Sequence, residues 1–396
     1  MSPAIAKPFY LFWLAVLFAG SAMAAEPAPT VPDAEFADGD FAAAEHYYGD
    51  VLAKSPDDEA ALAGLARIRL YQERRADARA LASRVLATNP DNDLAKRVLA
   101  GVAGRDASFA PDRYQITMPA SVNTVRFVAT DPLPIVRVRV NGTKTAYFLI
   151  DTGAPDLVVD ETFAKELGLQ STATSQGIFA GGRHAGAAKS LLPRIDIGAV
   201  RVRNVPVTLM PTRNFAPKPG IRIDGIVGTG FLQHFLATLD YVHGSLVLRP
   251  RSRSQDFEAS AAGRGGATVS MWLVGDHFIF ARAKLNDGPE GLFNIDTGLA
   301  GGGLQATRAA LDAAHIVPDE SHVQSGQGGG GNVRFIPFRA SASLGSTTVA
   351  NVDGIFTPDG DQFGIFPFRV AGTLSHGFFR AHSLTFDFVA MRIVIT

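Results

Sequence analysis

The chain has 396 residues, 46% hydrophobic and 19% charged, with 40 glycines and a formal net charge of −1. That composition is globular, its length suits two or three domains, and its charge leaves no basic footprint for nucleic acid or an anionic membrane surface. With no cysteine, disulfides, thiolate catalysis, zinc–cysteine sites and an N-terminal lipid-anchoring cysteine are all excluded. Residues 1–24 read as a secretory signal: Lys7 supplies the charge, Phe9 to Gly20 the apolar core, and Ala22-Met23-Ala24 a small-x-small cleavage site. The core is short for a bilayer span. The flanks favour cleavage over an uncleaved anchor, so the mature chain is expected to start near Ala25 and to be exported, periplasmic or secreted. No later segment is long and apolar enough to cross a membrane.

Residues 33–104 read as helical, rich in Ala, Leu, Arg and Glu with apolar residues at three- and four-residue intervals. Val51-Leu52-Ala53 with Ser55-Pro56-Asp57 returns as Val85-Leu86-Ala87 with Asn89-Pro90-Asp91, an offset of 34 residues. This is the period of tetratricopeptide helix pairs. The segment resembles that family over about two repeats. Gly39-Asp40-Phe41 opens a helix, Ala44 and Ala78 are small packing residues, and Pro56 and Pro90 start the next helices. Two pairs cannot bury their faces alone and must lean on each other or on the next domain. A dock for a protein partner and a helical spacer or cap are both open readings.

After Arg105 the pattern turns to strands: Tyr114 to Met118, Val122 to Val128 and Ile135 to Val140. A polar, glycine-containing linker over 250–266 divides the remainder into residues 115–250 and 266–396. Each part carries one Asp-Thr-Gly after an apolar run. Asp151-Thr152-Gly153 follows Tyr147-Phe148-Leu149-Ile150, and Asp296-Thr297-Gly298 follows Leu292-Phe293-Asn294-Ile295. The series after each motif also matches. A helix candidate (Glu161 to Leu167; Thr307 to Ala314) leads to a glycine-rich tip (Gly177 to Gly186; Gly326 to Gly331) and a strand end (Ile197-Gly198; Leu344-Gly345). A Gly-Phe step follows, 79 residues after Asp151 and 81 after Asp296. A lone Asp-Thr-Gly is an ordinary surface turn; two in matched ladders point to duplication of one β lobe. An acid at the end of a buried strand is costly to ionise. Two of them, one per lobe, compensate by sharing a proton.

This plan resembles the retropepsin/pepsin clan of aspartic proteases from about Pro119 to Thr396. The resemblance is carried by both Asp-Thr-Gly turns, by Ile226-Val227-Gly228 and by the glycine-rich tips; Ala154 after the first Gly is closest to retropepsins. It implies a multidomain chain: an N-terminal α-helical repeat module, then a mainly β, two-lobed aspartic-protease-like domain of closed β-barrels. It implies a catalytic pair, Asp151 and Asp296, one carboxylate activating water and the other, protonated, holding the scissile carbonyl. Thr152 and Thr297 would bond across the pair, Gly153 and Gly298 would allow close backbone approach, and Phe179, Ala180, Gly181 and Gly182 would form a substrate-covering lid. No metal and no cofactor are needed.

Two departures stand out. Thr373-Leu374-Ser375 replaces the Ile226-Val227-Gly228 pattern, and a serine there could shift Asp296. Asn294 puts an amide in an apolar strand and is expected to face solvent. His184, His234, His243 and His376 lack metal-ligand spacing, no Gly-x-Ser-x-Gly elbow is present, and Gly228-Thr229-Gly230 lacks a dinucleotide loop's third glycine. The expected function is an exported aspartic endopeptidase acting on peptides or proteins. The alternative is a catalytically weak or inactive module that binds peptide or cell-wall fragments, its helical repeats recruiting a partner.

Overall fold

The computed structural model describes residues 34–396 apart from 120–121, 180–182, 215–219, 258–265, 301, 329–330 and 359–362, together with the backbone of 12–13 and 16–18. In the predicted secretory signal, Phe12–Trp13 runs parallel to the Gln324–Gly328 strand and Val16–Phe18 antiparallel to Ala173–Phe179. The predicted cleavage site lies outside the described residues. Among the described residues no helix is long and apolar enough to cross a membrane.

The helical region comprises α1 (Ala34–Ala37), α2 (Phe41–Lys54), α3 (Glu59–Tyr71), α4 (Arg75–Thr88) and α5 (Asp93–Ser108). Asp40, Asp58 and Asn92 cap α2, α3 and α5 by accepting from the backbone N–H three residues on, which satisfies amides that a helix start leaves unpaired. Pro56 and Pro90 therefore lie in the turns before the helices they were expected to start. Ala44 and Ala78 are buried. The ring of Tyr48 packs where a Cβ on Gly64 would otherwise sit, so the spacing of α2 and α3 is set by a glycine.

The helices lean on the second lobe. Phe36, Phe41, Tyr48 and Tyr71 share one buried cluster with Trp272, Phe278, Phe280, Leu292, Phe366 and Phe368. Phe41 meets Phe368 and Trp272 edge-on, with centroids 4.9 and 5.5 Å apart, the geometry aromatic quadrupoles favour. Gly39, at φ +73°, lies against Leu292, and the Arg369 N–H donates to Ala37 O at 2.7 Å. Deeper in, Arg105 of α5 donates to the carbonyls of Leu273 and Gly275 at 3.0 and 2.6 Å and pairs with Glu73 at 2.9 Å.

Both lobes are closed six-stranded barrels of the same topology. In the first, Ile135–Val140 and Arg183–Ile197 close a sheet through Lys144–Ile150, Gly225–Val227, Leu157–Asp160 and Val200–Met210. In the second, Phe278–Leu285 and Gly331–Leu344 close it through Glu290–Ile295, Gly372–Leu374, Leu304–Ala306 and Thr347–Phe356. A further sheet joins them: Phe235–Asp240 pairs antiparallel with Ser383–Asp387, so strands of the two halves meet edge to edge in one sheet and their cores merge. The linker thus divides the sequence but not the core.

Candidate active site

Each motif aspartate sits where a central barrel strand gives way to a turn. The Lys144–Ile150 strand runs parallel to Gly225–Val227, and Glu290–Ile295 parallel to Gly372–Leu374. The next amides continue these pairings: Asp151 N–H donates to Val227 O and Asp296 N–H to Leu374 O, both at 3.1 Å. The turn that follows is held by its own carboxylate. Gly153 N–H donates to Asp151 Oδ1 and Gly298 N–H to Asp296 Oδ1, each at 2.8 Å.

The two turns interlock. Thr152 N–H donates to Thr297 Oγ1 at 3.1 Å and Thr297 N–H to Thr152 Oγ1 at 3.0 Å. Each hydroxyl in turn donates into the opposite lobe, Thr152 Oγ1 to Ile295 O at 2.9 Å and Thr297 Oγ1 to Ile150 O at 3.4 Å. These bonds fix the lobes in register at the aspartates. A Cβ on Gly153 would collide with the Asp296 carboxylate, and one on Gly298 with that of Asp151. Only glycine allows each backbone to lie over the other lobe's acid.

Asp151 and Asp296 are buried, each carboxylate packed against the glycine of the other lobe's turn, and Asp151 Oδ2 has no hydrogen-bond partner among the described residues. Burial, and then the adjacent Asp296, push the Asp151 carboxyl well above the ordinary range. Burial raises Asp296 too, but the Gly298 amide, Asp151 itself and His277 hold it down. Like charges this close do not both ionise. The titration belongs to the pair rather than to either residue, which suits one carboxyl holding a proton while the other is ionised.

Ser375 does not disturb this geometry. Its Oγ accepts from Leu299 N–H at 3.1 Å, so it braces the turn after Gly298. Lobe one braces its turn with Thr229, whose Oγ1 donates to Thr152 O at 2.8 Å. Asn294, expected at the solvent face, is only 6% exposed. It is opposed by Thr373 and Phe280 on the neighbouring strands, and alternation puts it on the same side as Asp296.

The backbone of Phe179 ends the Ala173–Phe179 strand, which forms a hairpin with Arg183–Ile197. The Phe179 side chain and all of Ala180, Gly181 and Gly182 lie outside the described residues, as does the 329–330 tip. The base of the first hairpin is described: Ala187 packs with Leu149, Ala154, Ile226 and, from lobe two, Ala300.

A cross-lobe contact went unread in the sequence. His376, fully buried, places Nε2 3.0 Å from Asp131 Oδ1, and Arg380 reaches the same oxygen at 2.7 Å. The His376 hydrogen bond, chiefly, holds Asp131 below the ordinary carboxylate range. The His376 ring packs edge-on against Tyr241 at 5.1 Å. The sequence carried no spacing signal for this pairing, since Asp131 and His376 lie in different lobes. Among the described residues no group of three or more His, Cys, Asp or Glu side chains could hold a metal.

Two family models match the chain: an aspartyl protease model over residues 136–231 and a tetratricopeptide repeat model over residues 35–101. No curated protein matches. Among solved structures, basic 7S globulin from soybean matches with a TM-score of 0.43 at 11% identity, covering 72% of this chain and 95% of that one. Conglutin gamma, a basic 7S globulin from lupine seeds, gives the same figures. A retropepsin-like aspartic protease from Rickettsia conorii matches with a TM-score of 0.23 at 20% identity, covering 34% of this chain and 94% of that one. The two model matches fall on the first barrel and on the five helices, so an aspartyl-protease-like domain follows N-terminal tetratricopeptide-like repeats.

Proposed function

We propose that this protein is an exported aspartic endopeptidase. The observation that carries the reading is the buried pair Asp151 and Asp296, each carboxylate covered by the glycine of the other lobe's turn. One carboxylate of the pair acts as general base toward a water. Its protonated partner hydrogen-bonds the scissile carbonyl, and the proton then passes to the leaving nitrogen. Both acids sit in a buried, preorganised frame where such bonds gain strength. Because one carboxyl must stay protonated and its partner ionised, the activity optimum is acid-shifted.

Export rests on the leader-like residues 1–24. The repeats use one face to hold lobe two. Their other side offers an open cleft between α2 and α3, bordered by Glu45, His46, Asp50 and Arg69, which suits a protein partner.

The test is digestion of a peptide library at several pH values, with and without pepstatin. Acid-favoured, pepstatin-sensitive cleavage that disappears in both Asp151→Asn and Asp296→Asn supports the reading. Cleavage that survives both substitutions overturns it. Pepstatin binding without any cleavage would favour the alternative, a cleft that only binds peptide.

A further inference from the structure

The two lobes build the strand face beside the aspartates from different chemistry. Side chains alternate along a strand, so the residue two before each aspartate lies on that aspartate's side. In lobe one this is Leu149, aligned with Ile226, which is aligned in turn with Val158. In lobe two the corresponding row is Asn294, Thr373 and Gln305. Neighbours in register share a face, so three hydrocarbon side chains in one lobe are matched, position for position, by an amide, a hydroxyl and an amide in the other.

The apolar row belongs to a continuous cluster with Ile135, Ala154 and Ala187. The polar row is equally buried, at 6% exposure or less, and Gln305 Nε2 reaches Thr357 Oγ1 at 3.4 Å. Burying three polar groups costs stability unless hydrogen bonds compensate. The same strands in lobe one show that hydrocarbon serves the fold. A polar set kept beside one catalytic acid breaks the local packing rule where a functional site is expected to break it.

We propose that Asn294, Thr373 and Gln305 determine specificity, so that the cleft is chemically divided. Lobe one takes an apolar side chain, and lobe two takes one that exchanges hydrogen bonds with the polar row. This rests on the endopeptidase reading and names its substrate class: peptides with an apolar residue on one side of the scissile bond and Asn, Gln, Ser or Thr on the other. A charged residue is disfavoured at either position, because neither row holds a countercharge and an unpaired buried charge is costly.

A peptide library randomised at the two positions flanking the cleaved bond, digested by the full-length chain and read by mass spectrometry, tests this. One flank should select apolar residues. The other should select Asn, Gln, Ser or Thr over Leu and Val by about tenfold or more, the discrimination expected of a site built to hydrogen-bond its ligand. The double substitution Asn294→Leu with Thr373→Ile, which installs the lobe-one residues, should make both flanks apolar. If that protein does not fold, Thr373→Val alone should weaken the polar preference. Apolar selection on both flanks by the native chain overturns the proposal, as does an unchanged preference in folded variants.

If the native chain cleaves nothing, the endopeptidase reading fails separately. Calorimetric binding of the same peptides then decides about the row. Roughly tenfold tighter binding of Gln-bearing over Leu-bearing peptides supports it, and equal affinity overturns it.

Discussion

Lobe one and lobe two follow one backbone plan but differ beneath the aspartates. In lobe one, Gly228 lies so close to the carbonyls of Ala154 and Asp156 that a Cβ would overlap both. In lobe two the matching residue is Ser375, with its hydroxyl bonded to Leu299 N–H. The connections explain the difference. Three residues separate Gly153 from the Leu157–Asp160 strand, whereas five separate Gly298 from Leu304–Ala306. The extra two account for the longer spacing between Asp296 and its Gly-Phe step, and the wider loop leaves room for a side chain. Duplication kept the interlocked turns identical and let their supports diverge.

The largest effects on cleavage should be symmetric. Gly153→Ala and Gly298→Ala each force a methyl into the opposite carboxylate, and both should abolish cleavage and cost about 3 kcal/mol, the upper range for overpacking. Chemical denaturation with an activity assay checks this; a tolerant lobe would show that the pair is not held as tightly as the hydrogen bonds indicate.

The next effect falls on lobe two and the helices that lean on it. Phe368→Ala empties a site packed against Phe36, Phe41 and Phe280 and should cost about 3–5 kcal/mol. Calorimetry should show the helices and lobe two losing stability together. An unchanged melting profile would mean that the shared aromatic cluster contributes little.

A direct contrast comes from the supports. Gly228→Ala should cost about 2 kcal/mol through overlap with two carbonyls. Ser375→Ala should cost only about 1 kcal/mol, the worth of one hydrogen bond. Equal costs would remove loop length as the reason for the divergence.

The smallest effect concerns pH. The Asp151 carboxyl is raised in the folded state, so the folded protein holds a proton that the unfolded chain releases from about pH 4 upward. Native protein therefore binds more protons, and its stability falls as pH rises through the folded value. Asp151→Asn removes that titration. Melting temperatures from pH 4 to 7 should decline less for this variant than for the native chain, by about 2–4 °C for each kcal/mol involved.

Much of the site could be read along the chain because its signals are local. An apolar run ending in Asp-Thr-Gly is a strand that meets a turn, and repetition of whole ladders placed both acids in equivalent positions. The 34-residue repeat announced helix pairs for the same reason. What escaped were relations between segments far apart in sequence. Asn294 looked like a solvent-facing residue because one strand does not say what covers it; its neighbours Thr373 and Phe280 come from other strands. The sharing of Phe36 and Phe41 with Phe366 and Phe368 needed helices and barrel to be brought together, although the aromatic run near 363–368 was a visible signal of a surface to be covered.

The amino-acid sequence by itself determined the elements, the duplication and the two acids, since strand alternation, caps and turn glycines act over a few residues. Tertiary structure alone decided that the two acids are buried against each other's turns, that Ser375 braces a turn and that the helices belong to lobe two's core. Each of those depends on burial and on distances between distant segments, and these exist only once the chain has closed on itself.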